Sequence, residues 1–176
     1  MKKIVITLLS SITTIVTIAQ KSPIVKLHVY SREVLGGAQQ KKQSVNESGV
    51  VTDIPLKKPL QYFIYAETKH MEKPAIKNVW IGSQKYEVLV NENVIKSPVI
   101  FNNTTVPGLQ NDTLIKATIN KIWMVTLKEP LAKINNSTAV SKLLAGNEAL
   151  ISYQQGKTVK YLGAKKIKKL QPMVVL

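Results

Sequence analysis

Glu67, His70 and Glu72, within the stretch "ETKHME", carry the side chains a divalent metal would want. Imidazole nitrogen and carboxylate oxygen suit zinc and its neighbours, but a closed site needs several ligands converging on one point. These three come from one loop at the exit of a strand, no second cluster accompanies them, and Lys69 and Lys73 would oppose a bound cation. They would hold a metal weakly, and nothing in the chain asks for a cofactor. His28 is the only other histidine. It lies on a strand face beside Lys26 and Tyr30, where a half-exposed polar role suffices.

Catalytic groups are scarce. A nucleophilic triad needs a base within reach of a serine and an acid behind that base. No serine sits in a "GxSxG" elbow, and Asp53 and Asp112 are the only aspartates. Glu67, Glu72, Glu87 and Glu92 are near one another in sequence, as a glycoside-cleaving carboxylate pair would require. Glu87, however, alternates outward beside Lys85, which reads as a surface ion pair. "LGGAQQKK" lacks the "GxxxxGK[ST]" spacing that cradles phosphates. No residue is assigned a catalytic role.

The formal net charge is +15, carried almost wholly by lysine, since Arg32 is the only arginine. Lysine is a hydrated point charge, whereas the planar fork of arginine suits phosphate and base edges. Specific nucleic-acid recognition is therefore not expected. The joint abundance of lysine, isoleucine and asparagine fits an AT-rich coding background, with screened attraction to anionic surfaces as its consequence. Lys165, Lys166, Lys168 and Lys169, in "GAKKIKKLQP", form the densest basic cluster and are the candidate polyanion contact. At helical spacing Ala164, Ile167 and Leu170 align, so the stretch reads as a docked amphipathic turn with a basic outer face. Read instead as a strand, it would send Ile167 and Leu170 to opposite faces.

Aromatic residues interleaved with lysines can form a stacking platform for single strands or sugars. Tyr62, Phe63, Tyr65, Trp80, Tyr86 and Trp123 lie in segments with core periodicity, and Tyr30 and Trp80 are the candidates for exposure.

The elements that would position these groups are mostly strands. "PIVKLHVYS" alternates, with Val25, Leu27 and Val29 on one face and Lys26, His28 and Tyr30 on the other. Residues 36–49 are polar and aperiodic and read as a long exposed loop. "LQYFIYAE" is apolar on both faces, which marks a central strand. Hairpins are expected to turn at Gly82-Ser83 and at Gln155-Gly156. Pro98 consigns its segment to an edge or a bulge. "TLIKATINKIWMVTLK" keeps Ile115, Ala117, Ile119, Trp123, Val125 and Leu127 on one parity, as one bent strand or two meeting near Asn120. "NSTAVSKLLAGN" predicts a short helix capped by Ser137 or Thr138, with Val140, Leu143 and Leu144 as its stripe and Gly146 as its end. "PMVVL" predicts a closing strand. The fold class is mainly β: an antiparallel β-sandwich or small barrel of about eight strands, with one or two short helical segments near the C-terminus.

Residues 1–19 have the form of a cleaved secretory signal peptide. Lys2 and Lys3 precede the apolar run Ile4 to Ile18, and Thr17 and Ala19 occupy the −3 and −1 positions before Gln20. Residues 20–176 then form a single β-rich domain of net charge +13, from 23 basic and 10 acidic residues. Without cysteine it has no disulfides and rests on its core. The Asn-x-Ser/Thr sequons at Asn46, Asn102, Asn103, Asn111, Asn135 and Asn136 read as loop formers in a bacterial periplasmic or secreted setting. The expectation is an exported, non-catalytic domain that binds a protein or cell-envelope component through surface loops. The alternatives are a small hydrolase or ligand carrier built around a cavity, and an electrostatic polyanion binder.

Overall fold

A computed structural model describes residues 23–36, 42–45, 47–54, 59–101, 111–131 and 136–175. The leader and the sequon asparagines Asn46, Asn102, Asn103 and Asn135 fall outside the described residues. In chain order the strands are β1 (Ile24–Gly36), β2 (Lys42–Val45), β3 (Val51–Ile54), β4 (Leu60–Thr68), β5 (Ile76–Ile81), β6 (Gln84–Val90), β7 (Val99–Phe101), β8 (Asp112–Ile115) and β9 (Lys121–Pro130). Helix α1 (Thr138–Ala145) follows, then β10 (Ala149–Gln155), β11 (Thr158–Ala164), β12 (Lys168–Lys169) and β13 (Met173–Val175).

Eight of the strands form one curled sheet in the order β11-β10-β5-β6-β9-β4-β1-β12, with β13 beside the far half of β1. The sheet is mixed: β12 and β13 run parallel to β1, and its other pairings are antiparallel. Its curl brings β11 back against β1, so the sheet makes a half-barrel. The two-stranded ribbons β2–β3 and β7–β8 stand apart from it.

The inner face holds the main core, where Leu27, Val29, Ile64, Ala66, Val79, Val90, Trp123, Val125 and Ile151 pack together from six strands. Burying that apolar area is the principal stabilising term in a chain without disulfides. The outer face is covered in two places. Ribbon β7–β8 lies over β1, β4 and β9, enclosing Tyr30, Tyr65, Val99, Leu114, Ile115 and Ile122. Helix α1 lies over β5 and β10, enclosing Trp80, Val140 and Leu150.

Double covering explains β4, an interior strand buried on both faces from Ile64 to Thr68, as its apolar run requires. It also reverses the reading of "GAKKIKKLQP". Residues 168–169 pair in parallel with Tyr30 and Ser31, and the Leu170 N–H donates to the Ser31 carbonyl. Ile167 packs on the inner core and Leu170 on the outer one, while all four lysines stay exposed. The extended form wins because both faces at this edge have apolar partners, and an isolated helical turn has no such compensation.

Other expectations shift by smaller amounts. The hairpin at Gly82-Ser83 forms as read, with Ile81 opposite Gln84. The second turns at Gly156-Lys157, one residue later, because Gln155 still pairs with Thr158. Both loops open on a glycine of positive φ, +56° at Gly82 and +59° at Gly156, as a type II′ turn demands. The polar stretch 36–49 is not wholly loop, since residues 42–45 pair with 51–54. "TLIKATINKIWMVTLK" resolves into β8 and β9. In α1, Val140 is buried and Leu144 half-buried, but Leu143 is exposed.

Candidate functional site

Glu67, His70 and Glu72 do not converge. His70 and Glu72 are exposed in the β4–β5 turn, whereas Glu67 lies at the end of β4 with 8% of its surface accessible. Among the described residues no group of three metal-ligating side chains comes together. The partner of Glu67 is His28, whose Nε2–H donates to Oε2 at 2.9 Å. Thr118 Oγ1 and Asn120 Nδ2 donate to the other carboxylate oxygen at 3.0 and 2.7 Å. This bonding ties β1 and β4 to the β8–β9 connection. It also explains why the apolar parity of that connection fails. Thr118 and Asn120 must turn inward, which leaves Ala117 exposed and Ile119 95% exposed.

The ionisation of the pair suits a fixed, buried bond. Burial, with help from Lys26 and Lys168, lowers the pKa of His28 against the opposing pull of Glu67, so the imidazole is neutral near pH 7. Burial alone would raise Glu67, but the bonds from Asn120, His28 and Thr118 outweigh it and hold the carboxyl below its ordinary value. A neutral donor and a charged acceptor are thereby set at the interface of three elements. Of the other carboxylates considered for catalysis, Glu92 is engaged with Lys73 at 2.5 Å.

Tyr30 and Trp80 are not exposed: 3% and 4% of their surfaces are accessible. Tyr30 lies under the β7–β8 ribbon, where its hydroxyl donates to the Leu114 carbonyl and its ring meets Tyr65 edge-on. Arg32 is used the same way. Its guanidinium sits 4.5 Å from the Phe101 ring centre and 5.2 Å from that of Phe63, and it donates twice to Gln61. The lone arginine pins the ribbon to the sheet.

The arrangement that can take a ligand was not singled out in the sequence. Helix α1 covers Trp80 and Leu150 but leaves part of the outer face of β5, β10 and β11 open. The open part is a groove of about 390 Å³, within the range of ordinary ligand sites. Its floor is built by register. Asn78 stands opposite Ser152, and Ser152 opposite Tyr161; Gln154 stands opposite Val159. Trp80 closes the floor beneath α1, donating from Nε1 to Asn136 Oδ1 at 3.0 Å, with its ring centre 6.2 Å from that of Tyr161. Tyr161 is the accessible aromatic of the pair, at 40%. Ser137, which caps α1 by accepting from the Val140 N–H, forms the upper wall. Lys77 and Lys85 line the remaining margin, the Lys85 ammonium lying 5.4 Å from the Trp80 ring centre. The lining thus joins amides and hydroxyls to one accessible aromatic face, and the charged groups among its described residues are lysines.

The side chain of Asn147, just past the end of α1, lies against Gly163. A Cβ there would come within 2.3 Å of Oδ1 of Asn147, which donates to the Leu143 carbonyl at the helix end. Gly163→Ala is expected to displace the Asn147 side chain and destabilise the domain by about 0.5–1.5 kcal/mol, the worth of the hydrogen bond that the displaced amide gives up. The loss should shrink when the substitution is made in an Asn147→Gly background, and a double-mutant cycle on denaturation midpoints measures that coupling.

The lysines do not gather on one surface. Exposed examples occur on β1 at Lys26, in the β4–β5 turn at Lys69 and Lys73, on α1 at Lys142 and along residues 157–169. No described helix is long and apolar enough to cross a membrane. Comparison of the chain with protein-family models, with curated proteins and with solved structures returns no match.

Proposed function

We propose that the chain is an exported, non-catalytic binding domain that holds a polysaccharide of the cell envelope in the groove between α1 and β11. The observation that carries this reading is the lining of that groove. An accessible tyrosine ring offers a stacking face, and Asn78, Asn136, Ser137 and Gln154 offer the amide and hydroxyl bonds that sugar hydroxyls require. Its lining comes from helix α1 and four strands, β5, β6, β10 and β11, so the site is preformed on rigid elements. The poverty of catalytic groups supports binding over turnover. The main acid–imidazole pair, His28 with Glu67, is engaged in joining elements on another part of the sheet. A carrier built around an internal cavity gains no support, because the inner face is occupied by the apolar core. The exposed cluster Lys165, Lys166, Lys168 and Lys169 is left as a nonspecific anionic contact, weakened by salt.

The test is retention of the purified protein on immobilised envelope polysaccharides. Tyr161→Ala is expected to weaken retention roughly tenfold, the effect of truncating a contact worth somewhat more than 1 kcal/mol. Unchanged retention in that variant, or release of shortened glycan by the wild-type protein, overturns the reading.

A further inference from the structure

The groove also carries the charge class of its ligand. Resting on the polysaccharide reading, we infer that the chain recognises an acidic glycan, one whose pyranose rings bear carboxylates, rather than a neutral one. Both charged side chains among the described residues of the lining, Lys77 and Lys85, stand on β5 and β6 at one margin of the groove. Glu87 is opposite Asn78 in the same ladder but outside the lining, so within the groove the two ammonium groups have no carboxylate among them. The Lys85 ammonium lies 5.4 Å from the centre of the Trp80 ring, an attraction that draws its charge toward the groove margin.

The form of the charge narrows the class further. Phosphate favours the arginine fork or a nest of backbone N–H groups, and the lining contains no arginine. Lysine ammonium groups are hydrated point charges, which pair with one carboxylate oxygen at a time without the geometric selectivity of the fork. A nucleic-acid strand would stack successive bases on successive rings. Here Tyr161 alone presents an accessible ring, because Trp80 is covered by α1 and Lys85. One ring flanked by amides, with cations on one side, fits one sugar of a polymer whose carboxylate points to β5 and β6.

The experiment titrates the full chain with a polyuronate, a neutral glucan of matched length and a single-stranded DNA oligonucleotide, read by tryptophan fluorescence and affinity electrophoresis. Two tryptophans report, and Trp123 lies in the inner core away from the groove, so the ligand-dependent signal belongs to Trp80. The polyuronate is expected to bind at least tenfold tighter than the glucan, and the double substitution Lys77→Gln and Lys85→Gln to erase that preference. Tyr161→Ala should weaken both glycans, whereas Lys165→Gln with Lys166→Gln should change neither. Equal binding of glucan and polyuronate overturns the acidic-glycan inference and leaves the polysaccharide reading standing. Binding of DNA as tight as the polyuronate, lost with Lys165 and Lys166, overturns it in favour of nonspecific polyanion attraction. Failure to bind either glycan overturns both readings.

Discussion

Trp123→Ala is expected to destabilise the domain by about 3–5 kcal/mol, the usual range for emptying an aromatic site in a core. Trp123 is 3% exposed at the centre of the inner face, paired across from Ala66 and packed among residues of six strands. The buried residues of this core belong to hydrogen-bonded strands, which limits how far the space can collapse. Its Nε1–H also donates to Thr68 Oγ1 at 3.0 Å. Thr68 Oγ1 itself donates to the His70 carbonyl, so it keeps one bond when the indole is lost. Trp123→Phe should therefore cost much less, about 1–2 kcal/mol, chiefly the lost hydrogen bond and some volume. Urea denaturation measures both. The alanine variant should also melt on the order of 10 °C lower, given the few degrees that each kcal/mol moves a domain of this size. A loss below about 1 kcal/mol in Trp123→Ala would mean that the inner face is not the main core.

The inner face was legible in the sequence because its signal is local. Alternation in "PIVKLHVYS" places Leu27 and Val29 inward, and the two-faced run around Tyr62 to Ala66 marks a strand covered on both sides. Glycines show where loops turn, although Gly156 takes the first loop position rather than the second, which moves that turn by one residue. The outer face was harder to read. Tyr30, Trp80 and Leu170 sit among polar neighbours of the same parity, and only a ribbon or helix from elsewhere in the chain buries them. Spacing misleads at Ile167 and Leu170 for the same reason. A gap of three residues serves a helical face, but it equally serves a strand whose two sides meet two different cores. Ile119 follows an apolar parity and is nonetheless exposed, because the bonds to Glu67 dictate which neighbours turn inward.

The groove is less legible still. Asn78, Ser152, Gln154 and Tyr161 each look like an ordinary outward strand residue. They become a site only through the order β5-β10-β11, which joins segments separated by more than 70 positions, and through a helix that stops short of covering them. The polar residues Ser152 and Gln154, alternating with the buried Ile151 and Tyr153, were the one local sign that this face of β10 departs from the apolar core. The chemistry-bearing stretch "ETKHME" misdirects for a related reason. Its one buried member, Glu67, finds its partner 39 residues upstream.

Glu67→Leu is expected to cost about 2–4 kcal/mol near neutral pH, because it leaves the donors of His28, Thr118 and Asn120 without their acceptor, each worth about 1–3 kcal/mol when buried and less where water can reach it. Glu67→Gln keeps one acceptor oxygen and should fall between wild type and Glu67→Leu. The pH dependence is the sharper signature, since both ionisable partners act in the same direction. The folded pKa of His28 lies below its ordinary 6.5, chiefly through burial. As pH falls through 6.5 the unfolded chain takes up a proton that the folded chain still refuses, and stability drops. The folded pKa of Glu67 lies below its ordinary 4.5, because its hydrogen bonds outweigh the effect of burial. Further acidification through 4.5 therefore protonates the unfolded carboxyl first and removes a second portion of stability. Denaturation midpoints should be level above about pH 7.5 and fall in two steps toward acid, the upper step from His28 and the lower from Glu67. His28→Gln should remove the upper step and Glu67→Gln the lower. A midpoint that declines identically in wild type and His28→Gln would show that the buried pair does not couple folding to pH.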